Sequence, residues 1–248
     1  MIPKIIHYCW FGDKPLSDLA KKCIESWQKY CPDYEIRKWD ENTIDINSNN
    51  YMKEAYEKQC WGFVPDVARL QIILKYGGIY LDTDVELIKG LDMLLDNDVY
   101  MGIEKGNNGI NYVALGLGFG AVPNHPVIRT LLNDYEYRRF INEDGSLNKI
   151  PAPQIQTSTL KKMGFNNKYL IQTFQGVKIY PSDYFCPKSY LTGYIRVTDN
   201  TYSIHHYSAC WLSVPQKIKY RFRILLIHIL GYQRFKKYLS MTRAIVKK

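Results

Sequence analysis

Two carboxylates one residue apart, Asp82 and Asp84, lie in Tyr76-Gly-Gly-Ile-Tyr-Leu-Asp-Thr-Asp-Val85. The run reads as a helix stop, a short apolar strand and an acidic strand end. In extended backbone, side chains two apart share a face, so this pair converges on one cavity. Anions held that close repel each other unless protons or a cation lie between them. A divalent ion bound by hard oxygens resolves the repulsion, and a diphosphate is the usual companion of such an ion. The spacing therefore points to metal-assisted chemistry on a phosphorylated substrate.

Further groups gather around that motif. Asp66 and Arg69 are three apart in a predicted helix, so they share a face, either as a surface ion pair or as charges turned to a ligand. Tyr80 points to the side that Asp82 and Asp84 share, for ligand contact or for packing. His205 and His206 come late in the chain, and imidazole with carboxylates suits Mn²⁺. Neighbours on a strand face opposite ways, so one of the two is the metal ligand, with His205 favoured. Gly116-Leu-Gly-Phe-Gly120 lacks the Lys-Ser/Thr ending of a phosphate loop and reads as a strand allowing close approach. Asn111 and Asn124 are candidates to bind ligand hydroxyls.

The elements that position these groups alternate along the chain. Residues 4–10, 34–39, 79–82, 99–103, 115–122, 176–180 and 201–206 read as strands, with 85–88 a possible continuation of the third. Residues 16–30, 51–58, 66–76, 125–141 and 155–163 read as helices; Pro65 opens the third and Gly77 stops it. The alternation predicts an α/β fold with a mostly parallel sheet and helices on both faces. At 248 residues the chain suits a single domain, 1–214, with a helical extension, 215–248. An apolar fraction of 46% argues against disorder, and 14% aromatic residues suit stacking on bases and sugars as well as core packing.

Charge separates these two parts. The formal net charge is +9, and ten Lys or Arg with no acid fall between Gln216 and Lys248, which leaves the rest at −1. Such a tail seeks phosphates. Read as a basic amphipathic helix with Tyr232, Phe235, Tyr238 and Leu239 on one side, it suits an anionic membrane face; a helix packed on the body is the alternative. Nucleic acid is not expected as a partner, because the body carries no matching basic motif. Six scattered cysteines without a C-x-x-C pair suggest free thiols. The N-terminus does not read as a signal peptide and no apolar run could span a bilayer, so the expectation is a cytoplasmic protein, peripheral on the inner face of the cell membrane.

Two enzyme classes fit an apolar strand ending in D-x-D: a nucleotide-sugar glycosyltransferase, and a haloacid-dehalogenase-like phosphatase with Asp82 as nucleophile and Val85 completing its motif. The phosphatase also needs a later Lys and an acidic pair for magnesium, and no Asp-Asp or Gly-Asp-x-x-x-Asp follows Asp84. A non-catalytic nucleotide-sugar binder is a third reading. Four ordered motifs weigh between them: Ile5-Ile-His-Tyr-Cys-Trp-Phe-Gly12, Pro65-Asp-Val-Ala-Arg69, Gly77-Gly-Ile-Tyr-Leu-Asp-Thr-Asp84 and His205-His-Tyr-Ser-Ala-Cys-Trp211. Together they resemble glycosyltransferase family 32, which includes bacterial capsular-polysaccharide and fungal mannosyl transferases. The resemblance implies a GT-A fold, Mn²⁺ or Mg²⁺, a UDP- or GDP-sugar donor, a glycan acceptor, and transfer with retention of configuration. It assigns catalysis to Asp82, Asp84 and Arg69, and metal binding to Asp82, Asp84 and one of His205 and His206. Donor contacts fall to Trp10, stacked on the base, and to Asp66, Arg69, Tyr80, Asp82 and Trp211. The chain departs from the family in having Ala209-Cys210 where Gly-Ser precedes the tryptophan.

Overall fold

The computed structural model describes residues 1–106, 110–208 and 214–235. Its centre is an eight-stranded sheet in the order β2-β1-β3-β7-β5-β9-β8, with β6 also paired to β5. The strands are β1 (Ile5–Cys9), β2 (Glu35–Trp39), β3 (Gly78–Tyr80), β5 (Val99–Lys105), β6 (Asn111–Val113), β7 (Phe119–Ala121), β8 (Gln172–Phe174) and β9 (Val177–Tyr180). The sheet is mixed: β1, β2, β3, β5 and β9 run one way, and β6, β7 and β8 the other. Beside it lies a separate two-stranded antiparallel ribbon of β4 (Val85–Leu87) and β10 (Ser203–His205).

Period-two alternation sorts the side chains onto two faces. Tyr80, Val99 and Met101 join one core with helices α2 (Asn50–Glu57), α3 (Pro65–Tyr76), α4 (Pro126–Asn133) and α5 (Ala152–Lys162). Ile79, Leu81 and Tyr100 join the other, with α1 (Asp18–Tyr30) and α6 (Ser182–Phe185). Local chemistry sets the helix limits. Ser17 accepts from the Ala20 N–H to cap α1, which ends just before Pro32. Pro65 opens α3, where no backbone donor is needed.

The α3-to-β3 turn fixes where the acidic motif emerges. Gly78 has φ of 91°, and a Cβ there would meet the Ile5 carbonyl at 2.8 Å and His7 Nε2 at 2.9 Å. Glycine alone lets β3 lie this close to β1. His7 is fully buried yet fully paired: Nδ1 accepts from the Trp39 indole N–H (3.0 Å) and Nε2 donates to the Gly77 carbonyl (3.0 Å). An indole N–H can only donate, so Nδ1 carries no proton and the ring is neutral. Burial holds its pKa down at about 4.

Several boundaries differ from the sequence reading. The acidic pair lies in a turn between β3 and β4, closed by the Val85 N–H on the Asp82 carbonyl (3.0 Å), and not in a strand. Residues 115–117 form one turn of 3₁₀ helix ahead of β7, because Gly118 with φ of 115° breaks the extended run. The helix expected over 125–141 stops at Asn133; the polar stretch beyond it turns back, with the Phe140 and Ile141 N–H groups bound to Glu54. The described cysteines are free. Among the described residues no helix is long and apolar enough to cross a membrane.

Candidate active site

Three elements converge at the carboxyl ends of β1 and β3. The Leu81 N–H bonds the His7 carbonyl (3.0 Å), which keeps the chain on β1 for one residue beyond β3. The turn then carries Asp82 and Asp84 into β4. Helix α1 holds that strand in place: Trp27 Nε1 donates to the Val85 carbonyl (2.7 Å), and Ser26 Oγ accepts from the Leu87 N–H (2.9 Å). Pairing of Val85 with His205 brings the third group over.

The result is a cluster of Asp82, Asp84 and His205 whose ligand atoms all lie within 4.8 Å of one another. His205 Nε2 is 3.1 Å from Asp84 Oδ1, and the Ser208 N–H donates to Asp84 Oδ2 at 2.7 Å. Burial alone would raise Asp84, but the His205 charge and hydrogen bond and the Ser208 N–H hold it well below the usual carboxylate range. His205 moves the other way: burial works against its charged form, and Asp84, Asp82 and Glu104 more than compensate, so its pKa is raised. Partial burial pushes Asp82 up; Arg69 opposes the rise and the Asp84 charge adds to it. The side chain of Asp82 is 30% exposed against 11% for Asp84 and 14% for His205, so a ligand enters on the Asp82 side.

These residues fit a divalent cation. Two carboxylates and an imidazole form a hard-to-borderline donor set suited to Mn²⁺ or Mg²⁺. Among the described residues the buried His205 Nδ1 has no hydrogen-bond partner, while Nε2 donates to the ionised Asp84 carboxylate. A cation in the cluster would also relieve the repulsion between the two aspartates.

Beneath the cluster lies a buried charge triad. Arg69 reaches Asp66 Oδ1 at 2.7 Å and Asp82 Oδ1 at 3.6 Å, donates from Nε to the Pro65 carbonyl (2.9 Å), and lies over the Tyr80 ring at 5.1 Å. Arg69 and Asp66 are 4% and 3% exposed, and Tyr80 is 1% exposed. In this conformation the three brace Asp82 from below. Burial pushes Asp66 up to about 7 despite Arg69. Gly116 makes room for the arrangement, since a Cβ there would lie 2.3 Å from Asp82 Oδ2.

The remaining predicted residues separate. His206 turns away from the cluster, with Nε2 2.7 Å from Glu86, which also binds Lys22. Trp10 follows β1 at the same sheet edge as Asp82, half-buried, with its indole N–H on the Lys14 carbonyl (2.6 Å). Asn124 bonds the Leu74 carbonyl near the start of β3, at the far end of that strand from Asp82. Ala209, Cys210 and Trp211 lie outside the described residues. Two groups escaped the sequence reading. Glu104, on β5, has its pKa raised by burial, with His205 opposing the rise and Asp82 adding to it. The Ser208 N–H that holds Asp84 is a backbone group and leaves no residue-type signal.

Comparison with known proteins places the motif. Residues 17–101 match the family described as "Glycosyltransferase sugar-binding region containing DXD motif". The chain is 37% identical over 102 residues to inositol phosphoceramide mannosyltransferase 3 of Schizosaccharomyces pombe, covering 38% of this chain and 27% of that protein. It is 30% identical over 155 residues to glycosyltransferase L373 of Acanthamoeba polyphaga mimivirus, covering 60% and 59%. The chain thus spans about a quarter of the first relative and about three fifths of the second. The solved structure of the PaToxG glycosyltransferase aligns at TM-score 0.48 and 18% identity, over 66% of this chain and 70% of that one, a likeness too loose to carry argument.

Proposed function

We propose that this chain, which matches through residues 17–101 the glycosyltransferase family with a DXD sugar-binding region, transfers a sugar from a nucleotide-diphosphate donor to a glycan in a metal-dependent reaction. Its mixed sheet with helices on both faces is the GT-A arrangement. The observation that carries the reading is the convergence of Asp82, Asp84 and His205, drawn from two distant segments of the chain.

Asp82, Asp84 and His205 would hold the cation, which when bound supplies positive charge to the leaving diphosphate. Every other role belongs to the chain. The Ser208 N–H keeps Asp84 ionised and oriented. Arg69 fixes the Asp82 carboxylate and adds a positive charge beneath the donor site. Trp10 at the rim offers an aromatic face for the base; stacking of that kind contributes about 1–3 kcal/mol. The acceptor hydroxyl attacks from the face the leaving group departs, and the leaving phosphate takes its proton, giving retention as the family resemblance implies. A lipid-linked glycan is the acceptor we favour, with the protein peripheral on the cytoplasmic face of the membrane. The similarity to a mannosyltransferase and to a viral glycosyltransferase supports the transferase reading over the phosphatase one.

The test is turnover of a panel of UDP- and GDP-sugars with Mn²⁺, with and without excess EDTA. Release of nucleoside diphosphate from one donor, abolished by EDTA and restored by Mn²⁺, is the expected result. Turnover of a donor that EDTA leaves untouched would refute the metal reading, and release of phosphate from an aryl phosphate would refute the transferase.

A further inference from the structure

Helix α7 (Val214–Leu230) is attached to the body along one face only. Tyr220 stacks on Tyr190 with ring centroids 4.9 Å apart, His228 stacks on Tyr194 at 4.6 Å, and Ile227 is fully buried. The opposite face is apolar and open. Ile218, Phe222, Leu225 and Ile229 are 62%, 59%, 54% and 68% exposed. Spaced by four, three and four residues, they fall within an arc of about 60° around the helix. Such a stripe in water costs free energy that burial would recover.

Cations flank the stripe on both sides. Lys217 and Arg221 lie along one border and Lys219 along the other, Arg223 being turned to the body on the Tyr190 carbonyl (2.9 Å), and the segment from Gln216 onward contains no acid. Lys217 and Arg221 also line a cavity of about 260 Å³ between α7, α1 and the end of β10. Lys188, donating from Nζ to the His206 carbonyl (2.8 Å), lines the same cavity, as does Ser208, whose N–H holds the catalytic Asp84. Apolar side chains bordered by cations, with a cationic hollow beside them, match one surface: acyl chains beneath a layer of phosphates.

We propose that α7 docks the protein on an anionic lipid bilayer, its Ile218/Phe222/Leu225/Ile229 stripe entering the interface and the Lys217/Arg221/Lys188 cavity receiving a lipid phosphate. Of the apolar side expected at Tyr232, Phe235, Tyr238 and Leu239, Phe235 is 5% exposed and Tyr238 and Leu239 lie outside the described residues; the open stripe lies one to four turns earlier. The docked helix brings the Asp84 loop to the membrane, where a lipid-linked acceptor would be presented. That last step rests on the transferase reading; the docking does not.

The test is co-sedimentation of the full chain with phosphatidylglycerol and with phosphatidylcholine vesicles. Binding to the first and little to the second is expected; no binding to either, or equal binding to both, overturns the proposal. F222S/L225S alters exposed positions and should weaken binding about tenfold or more, as expected when interfacial apolar area is lost. K217Q and R221Q should each weaken it about fivefold, the equivalent of roughly 1 kcal/mol per cation near the surface. Unchanged binding of F222S/L225S would remove the stripe, and unchanged binding of K217Q/R221Q would remove the cavity. Circular dichroism and soluble-donor turnover of F222S/L225S should match the parent chain. Vesicle binding by a chain that turns over no donor would leave the docking standing and the transferase reading refuted.

Discussion

The acidic cluster at the end of β3 and the basic helix α7 handle charge in opposite ways. Asp84 and His205 are nearly buried and paired with each other, and Asp82 is fixed by Arg69. Each charge there has a partner within the protein and one side left open for a ligand. Helix α7 carries cations with no acid in its segment and leaves its apolar face in water. A buried cluster of this kind needs rigid support, because like charges placed close together are tolerated only in a fixed geometry. A surface helix of this kind needs a partner, because among the described residues no ion pair neutralises its cations. The first region is built for a small hard cation, the second for a broad anionic surface.

The largest effect that separates the two regions is acid sensitivity of the sheet under the cluster. His7 is neutral in the fold with a pKa near 4, against 6.5 for the free side chain. The unfolded chain therefore binds an extra proton between those values, and stability falls as the pH drops from 6.5 towards 4. The loss from this group should reach roughly 3 kcal/mol, following from the size of the shift. Urea titrations at pH 7 and pH 4.5 should show it, and His7→Gln should flatten the slope. An unchanged slope in that variant would mean that a group other than buried His7 sets the acid sensitivity.

A smaller effect divides the last residue of β10 from the one that follows it. His205→Ala should weaken Mn²⁺ binding by about tenfold or more, the range for loss of a group supporting a metal site. His206→Ala should leave Mn²⁺ affinity unchanged, because its partner is Glu86. Equal losses in both variants, measured by calorimetry, would erase the distinction between the centre and its surroundings.

Much of this arrangement was legible in the sequence. Pro65 and Gly77 marked α3 to the residue, and alternation of β-branched and aromatic residues marked β1 and β2. Alternation predicts that one of His205 and His206, with His205 favoured, faces the carboxylates; the structure groups His205 with Asp82 and Asp84 and sets His206 on Glu86. The reason first given for pairing Asp82 with Asp84 does not describe the structure, since a turn and not an extended strand brings them together. Short elements were missed: β6 and β8 have three residues each, too few for any periodicity to register. The close approach expected at the glycines of 116–120 is, at Gly116, that of Asp82 itself. Such a contact depends on two segments meeting and has no local signature.

Calorimetric titration of the intact chain with Mn²⁺, alongside Asp84→Asn, tests the central claim most directly. One ion per chain is expected for the parent, with affinity raised by nucleoside diphosphate, and no saturable binding for the variant. Saturable Mn²⁺ binding of the same affinity in Asp84→Asn, or none in the parent even with nucleotide present, would contradict a cation shared by Asp82, Asp84 and His205.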